Sequence, residues 1–259
     1  MSDSLTPNNP NFADENLSKE DQLRKRLIQI LGADRWIVSD YPAVAPNGAE
    51  EVQKLLKERP APVVTVGQGS SFPDDFEPNP ETIILLTSAF KPTFELSKED
   101  QTLTVDAGHK ISVVNSYLRK SGFVVPALQR FSKGSVGGRL ASISSRPIPN
   151  RHDGWIQSLL GLEAVMPSGE YLKMGGSCIK DVAGFDLKHL FTGSKGNIGI
   201  IMKATFRIFP ISSFKHLEDE NTASDKSQSS DQFNSPAARS FSPGWKRLLD
   251  PMGRMDQGA

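Results

Sequence analysis

The chain has a single cysteine, Cys178, among 259 residues. That excludes an internal disulfide and leaves no set of thiolates to hold an iron–sulfur cluster within the chain. Histidine is also scarce: His109, His152, His189 and His216 are scattered without metal-ligand spacing. No apolar run approaches the roughly 20 residues that a membrane-spanning helix requires. The opening MSDSLTPNNP lacks the basic and apolar regions of a signal peptide, so the expected location is cytoplasmic. Neither sign of charge dominates, with 30 basic against 30 acidic residues. Nothing in that balance favours nucleic acid or an anionic membrane as partner. Several motifs are missing as well: GxxxxGK(S/T), GxSxG, HExxH and CxxC do not occur. What remains is an apolar fraction of 37%, enough for one sizeable core or for two small lobes sharing a cleft.

Glycine, by contrast, is concentrated. In GGSCIKDVAGFDLKHLFTGSKGNIGIIM, residues 175–202, glycines recur too often for a helix interior or a plain strand. Such residues suit places where backbone turns sharply or lies against a ligand. Asp186 is placed to cap a short helix whose Leu187, Leu190 and Phe191 fall at i, i+3 and i+4, on one face. IGIIMKATFRIF then has strand composition and ends at Pro210.

Taken in order, residues 1–16 are polar and without periodicity, a disordered lead. A first helix is predicted after the cap Ser18, with Asp21 three residues on, an apolar face of Leu23, Leu27, Ile28 and Leu31, and Gly32 as its stop. A second spans about 48–58, with Asn47 and Glu50 as a capping box and Val52, Leu55 and Leu56 inward. The strand VVTV, 63–66, runs directly into GQGSSF. A glycine loop after a strand can set consecutive N–H groups around an anion, and Ser70 and Ser71 add hydroxyls. It also begins a Rossmann fingerprint, but Pro73, Pro78 and Pro80 forbid the helix that fingerprint needs. A tight turn with no ligand is the plainer reading of the same residues.

Strands are expected at 82–87 and 102–106, the second leading into a helix ended by Gly122. In SKGSVGGRLAS, 132–142, Gly137 and Gly138 would let a helix start approach a cofactor with free N–H groups, or would serve packing alone. Residues 155–174 read as a hairpin turning at PSGE. Cys178 is read as a small hydrophobe, and His109 and His189 as surface groups. His152, in a loop with Arg146, Arg151 and Asp153, is the one histidine suspected near a substrate.

KDVAGFDLKHLFTGSKGNIGII resembles the closing motif K(N/D)xxGYDLxxLFxGSxGTLGII of the FAD-binding domain of the vanillyl alcohol oxidase/p-cresol methylhydroxylase superfamily, in its 2-hydroxy-acid branch. Phe185 stands for Tyr, Lys195 for a frequent Glu, and Asn197 with Ile198 for Thr-Leu. VDAGHKISVVNSYLRKSGFVVP, SKGSVGGRLAS and the 155–174 hairpin are similar to further segments of that family, and GQGSS resembles its pyrophosphate loop.

The resemblance implies an α+β fold, a PCMH-type FAD-binding domain of two α/β lobes with the cofactor between them, over residues 17–211. It further implies cofactor contacts from Gly67, Gln68, Gly69, Ser70 and Ser71, from Ser135, Val136, Gly137, Gly138 and Ser142, and from Gly196, Gly199, Ile200 and Ile201. No histidine follows the pyrophosphate loop, so FAD is expected to be non-covalent. No metal site and no catalytic residue can be carried over. Residues 212–243 have linker composition where relatives carry a cap domain, and WKRLLDPMGRM within 244–259 resembles a shortened C-terminal motif, suggesting a chain that lost its cap between retained ends.

The function implied is a flavoprotein subunit of a 2-hydroxy-acid oxidoreductase of glycolate oxidase type. Hydride would pass from substrate to FAD and electrons to a partner subunit, which would supply the substrate site, an iron–sulfur acceptor, or both. The alternative is a non-catalytic flavin-binding or assembly module, or a degenerate remnant. A flavin-dependent reductase of cell-wall precursors shares the loop but would not account for KDVAGFDL.

Overall fold

A computed structural model of the chain describes residues 18–70, 79, 81–129, 131–142, 158–176 and 187–213. The first lobe opens with helix α1, Lys19–Leu31, whose Ser18 hydroxyl accepts the Asp21 N–H at 3.1 Å and whose Gly32 N–H returns to Ile28 O. Leu27 is its buried anchor at 1% exposure. Helix α2, Ala49–Glu58, buries Val52, Leu55 and Leu56 as their spacing predicts. Its cap differs from expectation. Gly48 is the N-cap and makes no side-chain cap bond, and it is Glu51, not Glu50, whose carboxylate reaches back to the Asn47 N–H at 2.8 Å. Arg35 draws Glu51 into that position through a 2.9 Å ion pair, an attraction that Glu50 does not receive.

Around these helices lies a four-stranded sheet ordered β1-β2-β4-β3, made of β1 Trp36–Ile37, β2 Ala43–Val44, β3 Val63–Val66 and β4 Ile83–Leu86. β2, β4 and β3 are parallel and only β1 is antiparallel. IILL of β4 is buried along its whole length, as a central strand covered on both faces must be. Ile83 and Leu85 join the main core, while Ile84 and Leu86 pack with Ala43 and Val66 on the other face.

The second lobe is a fully antiparallel five-stranded sheet, β5-β6-β10-β8-β9. Its strands are β5 Phe94–Ser97, β6 Thr102–Asp106, β8 Leu159–Val165, β9 Tyr171–Gly175 and β10 Ile200–Arg207. The β8–β9 hairpin turns at Gly169, φ +80°, within the expected PSGE. Three helices cover this sheet or its edges: α3 Ile111–Lys120, the short α4 Pro126–Gln129 and α5 Val136–Ser142. β7, Phe123–Val124, pairs with β11, Phe209–Pro210, and closes the end of the lobe.

One hydrophobic cluster runs through both lobes, from Leu27, Val52 and Leu55 to Leu159, Val165 and Phe206. Each such fully buried side chain contributes about 1.5–3 kcal/mol relative to exposure. Polar ties at the seam fix the lobes' orientation: Gln53 donates to Gly169 O at 3.0 Å and Arg59 to Pro167 O at 2.9 Å. Among the described residues no helix is long and apolar enough to cross a membrane.

The short helix α6, Lys188–Phe191, departs from expectation. Only Phe191 is buried, at 2%, whereas Leu187 and Leu190 are 45% and 57% exposed. A single turn has little stability of its own, so tertiary contacts rather than helical spacing decide which of its side chains is buried. Asp186, expected as its cap, lies outside the described residues, as do the lead 1–16, most of the linker 212–243, and the tail 244–259.

Candidate cofactor site

The site begins where β3 ends. Among the described residues, the backbone N–H groups of Gly67, Gln68, Gly69 and Ser70 meet no acceptor. Gly69 is buried and adopts φ +66°, a left-handed conformation that glycine takes without strain. A buried amide without a partner costs about 1–3 kcal/mol. An anion seated on this loop would remove that cost, which is how consecutive N–H groups come to form an anion cradle.

The second glycine segment packs directly on the first. A Cβ on Gly67 would fall 2.0 Å from Ser135 Oγ, so only glycine lets the loop approach this closely. Ser135 is buried at 1% exposure. Gly134, at φ +97°, faces the same loop: a Cβ there would lie 2.9 Å from Ser70 Oγ and 3.0 Å from Arg139 Nε. An antiparallel bridge between Lys110 and Ser135 holds the segment in place, with Ile111 N–H donating to Gly134 O and Val136 N–H to His109 O, both at 3.0 Å.

The expected free N–H groups at the start of α5 are not there. Val136 N–H goes to His109 O, Gly137 N–H to Ala107 O at 2.8 Å, and Gly138 N–H to Ser135 Oγ at 3.1 Å. The two glycines serve close packing instead, since a Cβ on Gly137 would lie 2.6 Å from Ala107 Cβ. Ser142 turns its hydroxyl back to Gly138 O at 2.7 Å.

The third segment meets the other end of α5. Gly193 N–H donates to Leu140 O at 2.9 Å and Lys195 N–H to Ala141 O at 2.8 Å, satisfying carbonyls that the helix end leaves open. Gly196, φ +81°, brings the chain back to β3, where its Cβ position lies 3.4 Å from Thr65 Oγ1. Gly199 is required for a different reason: a Cβ would meet Val165 O at 2.7 Å. Ile200 and Ile201 are buried at 6% and 7%, and both pair with β8 in the sheet.

Main chain from three distant stretches is thus contiguous: 67–70 on 134–135, α5 behind them, and 193–196 closing from α5 back to β3. Ser71, Cys178, His152 and the arginines and aspartate around it lie outside the described residues.

Two features were not anticipated from the sequence. His109 is not a surface group. Its side chain is 17% exposed and its Nδ1 lies 2.5 Å from Oδ2 of Asp106, itself 6% exposed. The Asp106 carboxylate accepts from Gly108 N–H and Thr93 N–H, both at 2.9 Å, so it organises the turn beneath α5. The i, i+3 spacing of Asp106 and His109 was the available signal. The second is Arg139, which donates from Nε to Lys133 O at 3.1 Å and stacks its guanidinium 4.9 Å from the centre of the Phe131 ring. Burial lowers its pKa from the ordinary arginine value.

Fold and site together define a two-lobed α+β domain with a glycine-lined cradle at the end of a parallel strand. Compared with known families, residues 42–175, more than half of the chain, match the FAD binding domain. The chain belongs to that family, and its cofactor is FAD.

It is 30% identical over 180 residues to D-2-hydroxyglutarate dehydrogenase of Xanthomonas citri pv. viticola, which covers 67% of this chain and 38% of the relative. It is 26% identical over 210 residues to glycolate oxidase subunit GlcD of Bacillus subtilis, covering 73% and 45%. With D-lactate dehydrogenase of Archaeoglobus fulgidus, identity is 29% over 174 residues, covering 66% and 39%. The chain therefore spans less than half the length of these relatives. Among solved structures, an alkyldihydroxyacetonephosphate synthase aligns with TM-score 0.58 at 18% identity over 78% of this chain and 42% of that one, a likeness of fold. The resemblance read from the glycine motifs is borne out in family and in fold class.

Proposed function

We propose that residues 17–211 form the FAD-binding unit of an oxidoreductase that acts on a small 2-hydroxy acid, as the names of the relatives describe for those proteins. The observation that carries this reading is the set of amides at Gly67–Ser70 that meet no acceptor among the described residues, on a loop packed against the buried Ser135 and completed by a third glycine segment. Such a cradle suits the pyrophosphate of a dinucleotide. Ser71 follows in sequence as a further candidate contact, and Ser135, Val136, Gly137, Gly138 and Ser142, with Gly196, Gly199, Ile200 and Ile201, would line the approach of the rest of the cofactor.

Bound FAD would supply the hydride-accepting chemistry. The chain's own residues would bind and orient it: the loop amides hold charge, the glycines allow close approach, and α5 with its spent N–H groups presents a packed wall that excludes water. Attachment is non-covalent, and electrons leave to a partner subunit that completes the substrate site or carries an iron–sulfur acceptor.

The test is the visible spectrum of the purified full chain, followed by anaerobic addition of glycolate, D-lactate or D-2-hydroxyglutarate, alone and with copurifying subunits. A flavin band that leaves the protein on acid precipitation and bleaches with one of these acids is the expected result. A band that no hydroxy acid bleaches, with or without subunits, would instead identify a non-catalytic flavin-binding module. Absence of any flavin binding overturns the whole reading.

A further inference from the structure

Arg139 is a partly buried cation beside the cradle whose charge the described residues leave uncompensated. Among them it meets no carboxylate, and a single backbone acceptor, Lys133 O, takes its Nε proton. An arginine carries five N–H donors. The two Nη groups therefore have no acceptor among the described residues. Taking a cation out of water without an anion is costly, and that cost is why burial lowers this group's pKa.

Its position is defined. The Phe131 ring lies 4.9 Å under the guanidinium carbon, Lys133 O fixes Nε, and Arg139 Nε and Ser70 Oγ both lie within 3.0 Å of the point where a Cβ on Gly134 would stand. Gly134 at φ +97° makes that sharing possible, because any side chain there would separate the hydroxyl from the guanidinium. Preceding Ser70 in the same loop are Gly67, Gln68 and Gly69, whose amides meet no acceptor among the described residues.

From this arrangement we propose that Arg139 is a phosphate-binding residue. Its guanidinium adds a charged, two-pronged contact to the cofactor's pyrophosphate beside the hydroxyl of Ser70. The inference rests on the reading of Gly67–Ser70 as the pyrophosphate loop and adds the counter-charge which that loop of neutral donors lacks. A planar guanidinium matches two phosphate oxygens at once, which a lysine cannot do. A packing role against Phe131 alone would leave the Nη donors without purpose in a half-buried setting.

The probes are FAD, ADP and riboflavin, titrated calorimetrically into the flavin-free full chain. ADP carries the pyrophosphate without the flavin ring, and riboflavin the ring without phosphate. Arg139→Gln is expected to weaken FAD and ADP about tenfold or more, the usual worth of a charged hydrogen-bond pair, while riboflavin is unchanged. Arg139→Lys should recover part of the loss, and the salt dependence of ADP binding should be shallower in Arg139→Gln than in the wild type.

Arg139→Met, which keeps the aliphatic stem over Phe131, decides the matter by the same criteria if the glutamine variant does not fold. Equal losses for riboflavin and ADP would overturn the inference in favour of packing. Unchanged ADP affinity with impaired bleaching by a hydroxy acid would overturn it in favour of a substrate contact. Wild-type chain that binds neither FAD nor ADP would remove the loop reading itself. Wild-type binding with no effect in the variants would remove only the role of Arg139.

Discussion

Gly67 and Ser135, 68 positions apart in the chain, are in such close contact that a methyl group on the glycine would fall 2.0 Å from the serine Oγ. The serine Oγ can turn away only by giving up the hydrogen bond it accepts from the Gly138 N–H, in a buried setting. The contact is where the first lobe's cradle is set against the second lobe.

Gly67→Ala should therefore destabilise the chain by about 1–3 kcal/mol, the usual cost of overpacking, and weaken FAD more than the stability loss alone explains. Chemical denaturation of the single and double variants checks it. Ser135→Gly placed in the Gly67→Ala background should restore stability, although Ser135→Gly alone reduces it. Additive losses would show that the two residues do not meet.

A second close approach lies between Gly108 and Thr87, but here the obstacle is backbone. A Cβ on Gly108 would sit 2.1 Å from Thr87 O and 2.8 Å from Thr87 C. A serine side chain can rotate, and a carbonyl in a one-turn helix that continues β4 cannot. Gly108→Ala is thus expected to cost more than Gly67→Ala, about 3 kcal/mol or above, in a close-packed seam with no room to relax. Ranking the two midpoints in urea tests the claim, and the reverse order contradicts it.

Local pattern alone carried much of the fold. VVTV, IILL and TLTVD read as strands because apolar and β-branched residues fill them, and PSGE marks the hairpin because its glycine takes φ +80°. What was not legible depends on partners far along the chain. Phe94–Ser97 looks like a charged loop between Lys91 and Asp100, and becomes a strand only because β6 offers it an edge.

His109 looks like a helix-flanking surface group until Asp106 and Phe94 close over it. The glycine segments were recognisable by family likeness, whereas their mutual contact is long-range and no single window encodes it. The free N–H groups expected on α5 illustrate the same limit. Ala107 O and His109 O, which consume them, belong to another turn.

The split burial of α6 gives a third prediction. Phe191 is 2% exposed and packs where a Cβ on Gly199 would lie 3.1 Å from its Cε1, while Leu190 is 57% exposed. Phe191→Ala should lose about 3–5 kcal/mol. Leu190→Lys should stay within about 0.5 kcal/mol of wild type, as surface changes usually do. Thermal melts of both variants decide it. A large loss from Leu190→Lys would mean that this leucine is covered in solution.

The last prediction concerns alkaline pH. Tyr171 of β9 donates a short hydrogen bond to Glu163 of β8, and Lys173 reaches the same carboxylate at 3.4 Å. Partial burial first, then the bond and negative charge of Glu163, hold the phenol's pKa well above its ordinary value. The unfolded chain releases this proton near pH 10, whereas the folded chain retains it. Above that pH the folded state binds more protons than the unfolded state, so stability must fall as pH rises. The contribution is complete below about pH 10 and disappears progressively as pH climbs toward the raised folded value. Tyr171→Phe removes the group that titrates. Urea midpoints measured from pH 8.5 to 11 should therefore drop less steeply in Tyr171→Phe than in wild type, with the two curves converging as pH rises. Parallel curves would show that the Tyr171 proton is not held by Glu163.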